Sequence, residues 1–350
     1  MKQITVLAIA AALSAGTAGS ATAEQCEFSK IAFTSTRDHP SANPLLVGEI
    51  YLMDPDGGNP IRLTEDTGGG NAFAALSPNG KTIVFDSNRL RLPTEPLNTS
   101  DLFSMNTDGT VQTLLTRGSS ARWSPDSKMI AFHASALGTG QPIRLNDPGA
   151  PTTDSVIFVM NVDDGSPTKT KITNSSGKID QDPDWSPVIF IDGHEKIVFT
   201  RHDYKPNDPD KGAASAEIYV INADGTGDAQ QLTSNGKEPR GPAWSPDGSR
   251  IAFLCRLGTN GTYEICVMNA DGSDQTQLTF NTVLDATPSW SLPDGQKIVF
   301  HRNVSGQGLQ IWVMNAADGT GQTQLTTPPP PGMNLFAAWG VARAHCAKDK

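Results

Sequence analysis

The stretch Trp244-Ser245-Pro246-Asp247-Gly248-Ser249-Arg250-Ile251-Ala252-Phe253, with Ile265-Cys266-Val267-Met268-Asn269, Asp271-Gly272 and Leu278-Thr279 behind it, decides how this chain is read. Its apolar runs are short, rich in β-branched and aromatic residues, and bounded by turn residues, which is the pattern of strands. Pro-Asp-Gly and Asp-Gly supply the positive φ that tight hairpins need. The phrase recurs along the chain. Equivalents of the leading Trp are Leu76, Trp123, Trp185, Trp244, Trp290 and Trp339, spaced by 47, 62, 59, 46 and 49 residues. The apolar triplet ends at Phe33, Phe85, Phe132, Phe199, Phe253 and Phe300, and the Met-Asn run centres on Met53, Met105, Met160, Ile221, Met268 and Met314.

Each repeat thus holds four apolar runs, A to D, and no segment beyond the first twenty residues sustains a helical apolar period. Four antiparallel strands recurring six times predict an all-β fold, a six-bladed β-propeller of four-stranded blades. The first repeat starts in the middle, with run B at 30–35, C at 50–54 and D at 60–63. Its missing run A is Phe336-Ala337-Ala338-Trp339 at the other end. Pairing of the N- and C-terminal strands would close the ring without a free edge.

The phrase resembles the repeats of TolB-like propellers over nearly all of residues 28–340. TolB is a periplasmic protein of Gram-negative bacteria that works with the Tol–Pal envelope system, so the resemblance implies a propeller that binds a protein or peptide in the envelope. TolB carries a separate α/β domain before its propeller, whereas here few residues separate the expected leader from the first strand.

That leader is residues 1–23: Lys2, an Ala-rich apolar run from Ile4, and Ala21-Thr22-Ala23 as a signal-peptidase site. Residues 24–350 are then a single propeller domain, delivered to the periplasm or secreted, without membrane insertion. Composition agrees. Apolar residues are 37% and charged residues 18%, enough to bury a core. Acidic residues outnumber basic ones 37 to 27, which argues against nucleic acid as a partner. The chain is expected to be a monomer.

Export makes the four cysteines a disulfide set. Cys255 and Cys266 should face each other across the B–C hairpin of their blade, and Cys26 with Cys346 should lock the seam between the terminal strands.

No nucleophile elbow, zinc-protease motif or phosphate loop is present, so no catalytic residue, cofactor or metal is assigned. Asp54-Pro55-Asp56-Gly57 lacks the later oxygen ligands of a calcium loop and reads as a turn. Strand B exits with Arg37, Arg89, Arg201, Arg256 and Arg302, while Asp180, Asp182, Glu238 and Asp285 precede strand A. In a propeller these ends share one face, as do the long insertions at 38–48, 88–100, 134–155 and 202–216. The candidate ligand or partner site is therefore a charged mouth of Arg37, Asp38, His39, Arg89, Arg201, His202, Glu238, Arg256, Asp285 and Arg302. The bland alternative is ion pairing that holds the loops. His133 and His301 follow the triplet Phe, with Thr34, Asp86, Thr200 and Leu254 at the matching positions; a partial polar ring is one reading, and local hydrogen bonding of the two histidines is the expected one. The rival function is an enzyme, or a carbohydrate- or small-molecule-binding propeller, with its site in the same mouth.

Overall fold

The computed structural model describes residues 25–38, 47–65, 68–95, 99–135, 155–162, 168–174, 177–203, 215–256, 261–327 and 332–345. The expected leader, His39, Cys346 and most of the four long insertions lie outside them. Within them the chain is all β. In order the strands are β1 (Gln25–Ser35), β2 (Glu49–Met53), β3 (Ile61–Arg62), β4 (Asn71–Leu76), β5 (Thr82–Ser87), β6 (Asp101–Asn106), β7 (Thr113–Arg117) and β8 (Ser119–Trp123). Next come β9 (Met129–Ser135), β10 (Ser155–Asn161), β11 (Lys169–Lys171), β12 (Lys178–Trp185), β13 (Lys196–Asp203), β14 (Glu217–Asn222), β15 (Gln230–Gln231) and β16 (Arg240–Trp244). The last are β17 (Arg250–Cys255), β18 (Glu264–Asn269), β19 (Thr276–Gln277), β20 (Asp285–Trp290), β21 (Lys297–Val304), β22 (Gly308–Asn315), β23 (Thr323–Gln324) and β24 (Asn334–His345). No helix among the described residues is long and apolar enough to cross a membrane.

Four sheets have four strands each: β24-β1-β2-β3, β4 to β7, β16 to β19 and β20 to β23. The remaining eight strands form one sheet rather than two. It consists of the β8–β11 and β12–β15 meanders, joined where Ser155 of β10 pairs in parallel with Ile179 of β12. Ser155 is fully buried and its hydroxyl donates to the Asp180 carbonyl at 2.8 Å, so a small polar residue lets the next inner strand dock on the edge. The terminal seam is longer than the four-residue run A suggests. β1 and β24 pair from Gln25↔His345 to Ser35↔Asn334, because both strands continue beyond the repeat.

The triplet explains how the sheets stack. Successive strand residues face opposite sides, and here both sides are buried. Ile83 and Phe85 cluster with Ala32, Ile50 and Leu52 of the preceding sheet, whereas Val84 between them clusters with Ile130 and Phe132 of the following one. The same alternation places Ala131 with Ile197 and Phe199, Val198 with Ile251 and Phe253, and Ala252 with Ile298 and Phe300. Val299 then meets Ile31 and Phe33. A large pair therefore faces a small residue at each of these sheet interfaces. All six triplet phenylalanines are wholly buried, each side chain contributing about 1.5–3 kcal/mol.

The punctuation residues are structural as well. In the Ser-Pro-Asp turn, the Ser245 hydroxyl donates to Asp247 Oδ1 at 2.6 Å and accepts from the Arg250 amide at 2.9 Å, which starts strand B. Ser124 and Ser291 do the same in their repeats. Thr64, Thr173, Thr233, Thr279 and Thr326, at the ends of their repeats, accept from an amide of strand C, as Thr279 does from Ile265 at 2.9 Å, and Thr279 also donates to the buried Glu264. The Asp-Gly turn seats on the neighbouring sheet: a Cβ on Gly272 would lie 2.3 Å from the Leu232 carbonyl oxygen, and Gly57, Gly109 and Gly319 meet Leu325, Leu63 and Leu278 in the same way.

Cys255 and Cys266 form a disulfide with Cα atoms 6.0 Å apart. The expected face-to-face geometry is not what forms. Cys255 lies opposite Glu264 and Cys266 opposite Phe253, so the bridge runs diagonally, along a diagonal shortened by the strand twist. The backbone of Cys26 pairs with that of Ala344; its expected partner, Cys346, lies outside the described residues.

Gly272 and Gly261 both have positive φ, but only Gly272 faces a neighbour. Gly261→Ala should cost about 1–2 kcal/mol from backbone strain alone. Gly272→Ala should lower Tm by clearly more, because it also opens the sheet interface. Equal Tm losses in the two variants would show that this turn does not key the sheets together.

Candidate ligand channel

The inner strands are β4, β8, β12, β16, β20 and β24. They contact one another in that order, and β24 contacts both β20 and β4. Each has a break in register with its partner. Within each break one residue is left-handed: Phe73 (φ 52°), Ser120 (56°), Asp182 (52°), Gly241 (55°), Thr287 (51°) and Phe336 (54°). All stand three residues before the leading Trp or its equivalent. Only Gly241 adopts this conformation freely; the others cost about 1–2 kcal/mol each.

The bulge turns the backbone amide sideways, toward the preceding sheet. Ser120 N–H donates to Asp86 Oδ1 at 3.1 Å, Asp182 N–H to His133 Nδ1 at 3.4 Å, Gly241 N–H to Thr200 Oγ1 at 3.0 Å, and Phe336 N–H to His301 Nδ1 at 3.4 Å. Every acceptor is the residue after a triplet Phe. The remaining two such positions differ: Leu254 has no acceptor side chain, and the Thr34 hydroxyl is buried without a partner. Burial pushes the Asp86 carboxyl up to about 7, against the pull of its Ser119 and Ser120 donors, and pushes the His301 imidazole down to about 4. His133 is lowered by burial too.

The inner strands enclose a cavity of about 400 Å³. Its walls are unlike one another. On one side the Phe73 and Phe336 rings stack with centroids 3.9 Å apart, and His301 meets Phe336 edge-on at 5.7 Å. Asp182, Gly241 and Arg240 come from β12 and β16, which lie opposite β24 and β4 in the order of contacts. Further along the strands, Arg122 Nε approaches Asp184 Oδ1 at 3.9 Å, and Asp184 accepts from the Trp244 amide at 2.7 Å. Burial pushes the Asp184 carboxyl up to about 6. Trp123, Trp185, Trp244, Trp290 and Trp339 line this deeper level. Trp123 and Trp290 donate across to the Ala75 and Ala243 carbonyls of the preceding sheet, each at 3.0 Å.

The arginines singled out in the sequence stand elsewhere. Each caps aromatic side chains of its own sheet. Arg37 lies 4.5 Å from the Tyr51 ring, Arg89 4.5 Å from Phe103, Arg201 4.9 Å from Tyr219, Arg256 4.2 Å from Tyr263 and Arg302 4.7 Å from Trp312. Each also reaches the start of its own inner strand. Arg201 forks onto buried Asp180 at 2.6 and 2.9 Å, and Arg302 onto buried Asp285 at 2.7 Å in both bonds. Arg256 pairs with Glu238 at 3.1 Å, while Arg37 and Arg89 bond Asn334 and Asn71. Asp38 accepts from the Tyr51 hydroxyl and pairs with Arg62, and His202 is buried with Nδ1 3.2 Å from the Asp203 carbonyl. These residues tie strands A, B and C together, and none of them lines the cavity. The cavity residues Phe73, Phe336, Asp182, Arg240, Arg122 and Asp184 stand at repeat positions whose residue type changes from one repeat to another. Aligning the repeats on the leading Trp and reading three positions back would have found the first three.

The fold is similar to the β-propellers of TolB-like proteins. Residues 211–329 match the model of the TolB beta propeller domain. Over 212 residues the chain is 26% identical to an uncharacterized protein of Agrobacterium fabrum, covering 59% of this chain and 61% of that one, less than two thirds of its length. Among solved structures, TolB from Acinetobacter baumannii superposes with a TM-score of 0.64 at 20% identity, covering 89% of this chain and 66% of that one. A putative TolB from Agrobacterium tumefaciens gives 0.55 at 18%, covering 91% and 99%. At these identities the likeness to the solved structures is one of fold.

Folded Asp86 keeps its proton up to about pH 7, whereas the unfolded side chain loses it in the ordinary carboxylate range. Between those values the folded state binds more protons, so stability from this group falls as pH rises and stays lost above 7. His301 acts oppositely: the unfolded imidazole binds a proton near 6.5 and the folded one only near 4, so stability is lost as pH falls through that window. Asp86→Asn should therefore gain Tm relative to the parent between pH 4.5 and 8, with the difference levelling off above 7. Melting curves at pH 4.5, 6 and 8 that show a constant difference would refute titration of Asp86 in this range.

Proposed function

We propose that this chain is an exported binding protein of the cell envelope, a closed six-bladed propeller whose channel receives a peptide or a protein segment. The observation that carries this reading is the two-sided cavity: a stacked aromatic wall facing charged groups, in a volume within the range of ligand sites. Ring closure is supported by three contacts between the first and last sheets: the Ile31–Phe33–Val299 cluster, the seat of Gly57 on Leu325, and the packing of β20 on β24. A disulfide inside a sheet fits an oxidising compartment such as the periplasm or the exterior, and so does the leader-like segment of residues 1–23. The likeness to TolB favours a protein or peptide over a small metabolite. In this reading the arginines of the rim keep the strands in place, and the residues that touch the partner are those of the channel.

A photoreactive phenylalanine analogue at position 336, in the full chain expressed in its own cell envelope, tests the reading. A discrete crosslinked partner is expected at position 336, and its yield should fall about tenfold when Phe73→Ala removes the opposing ring. The same product from the exposed control position 191, or no product at 336, would overturn a channel-bound partner.

A further inference from the structure

We propose that the channel takes its ligand by a carboxylate, and that Arg240 is the group that holds it. This rests on the reading of the channel as a binding site and goes further, by naming the chemistry of the occupant. Among the described residues that line the cavity, the buried side-chain polar atoms without any partner are Arg240 Nε, Arg240 Nη2 and Trp244 Nε1. All are donors on β16 that are closed off from solvent, while Arg240 itself is partly exposed and lines the cavity without an ion pair among the described residues.

Arg240 is an exception among its neighbours. Arg201, Arg256 and Arg302 each have an acid from the inner-strand end of their own sheet, and Arg122 has Asp184. A guanidinium withdrawn from water without an anion is disfavoured unless something compensates it. Its planar fork matches a carboxylate or a phosphate in a bidentate pair.

Position narrows the occupant further. Arg240 immediately precedes Gly241, the bulge residue with no side chain, where the Leu254 side chain fills the place and lines the cavity beside the guanidinium. Across the cavity stand the stacked Phe73 and Phe336, which suit an apolar or aromatic body. Asp182, on the adjacent inner strand, faces the same cavity and forms no ion pair with Arg240 within 4 Å. Its charge disfavours a dianion such as a phosphate monoester and favours a single carboxylate. Burial, and then the nearby charge of Arg240, lower the His202 imidazole from its ordinary value, which disfavours a second cation there. A C-terminal aromatic or apolar residue of a peptide has this chemistry, and so does a small aromatic acid.

The test uses the full chain and four probes: N-acetyl-phenylalanine and Ala-Ala-Phe, each as the free acid and as the C-terminal amide, titrated by calorimetry. In the parent protein the acids should bind at least tenfold more tightly than the amides. That preference should vanish in Arg240→Met, whose Tm should equal or exceed that of the parent, because an unpaired, half-buried charge has been removed. Arg240→Lys should keep a reduced preference, and a perturbed Arg240 Nε resonance on adding the acid would report contact without any mutation. Tighter binding of the tripeptide acid would identify a peptide terminus as the occupant, and equal binding of both acids a small carboxylic acid. If acid and amide bind the parent equally, the carboxylate site is refuted while a channel ligand remains. If none of the four binds, both readings fall. A preference that survives in Arg240→Met would also refute it.

Discussion

The left-handed residue in each inner strand is the constraint on which the rest of this molecule depends. Inner strands that ran straight would spend every amide on their own sheet. The bulge instead frees one N–H per strand and points it at the sheet before. Where an acceptor follows the triplet Phe, as at Asp86, His133, Thr200 and His301, the sheets are joined by a hydrogen bond at the wall of the channel. The strain is real, most of all for Thr287, whose branched side chain is poorly suited to positive φ. It persists because side chains on both neighbours over-determine it: Thr287 is held through its hydroxyl, 2.7 Å from His301 Nδ1.

Apolar packing and polar ties divide the labour by radius. Near the middle of each sheet, large Ile and Phe side chains meet small Ala or Val across each interface, which fixes the spacing between sheets. At the strand ends, an arginine covers a cross-strand aromatic pair and grips the start of the inner strand. Such a contact adds about 0.5–2 kcal/mol where the cation is partly desolvated. Loss of the arginine that forks onto a buried carboxylate, as for Asp180 or Asp285, costs more, about 3–5 kcal/mol. The rim is thereby braced by contacts between strand ends.

Repetition builds the scaffold, and departures from repetition build the channel. If all bulge positions held one residue type, the cavity would be symmetric and would discriminate little. Phe, Ser, Asp, Gly, Thr and Phe at those positions make an aromatic side and a charged side. The two deeper charged groups, Arg122 and Asp184, belong to the same adjacent strands as Ser120 and Asp182. One sector of the channel is therefore polar from its bulge layer to its tryptophan layer.

The sequence alone determined the strand pattern, its four-run repeat, the turns and the pairing of the chain ends, because each is a local signal repeated in register. Alternation within Ile-Ala-Phe already encodes two buried faces. It also placed a disulfide between Cys255 and Cys266, although strand twist decided that the bridge runs diagonally. The arginines were visible as a series but not in their role: whether a strand-end arginine reaches outward or folds back on an aromatic pair depends on neighbours across two strands. The channel was least legible. Phe73, Asp182, Arg240 and Phe336 are far apart in the chain and form no residue pattern that recurs in every repeat, and only the packing of successive inner strands brings them to one cavity. That a half-buried guanidinium there lacks an anion is a property of three-dimensional surroundings, which no spacing along the chain records.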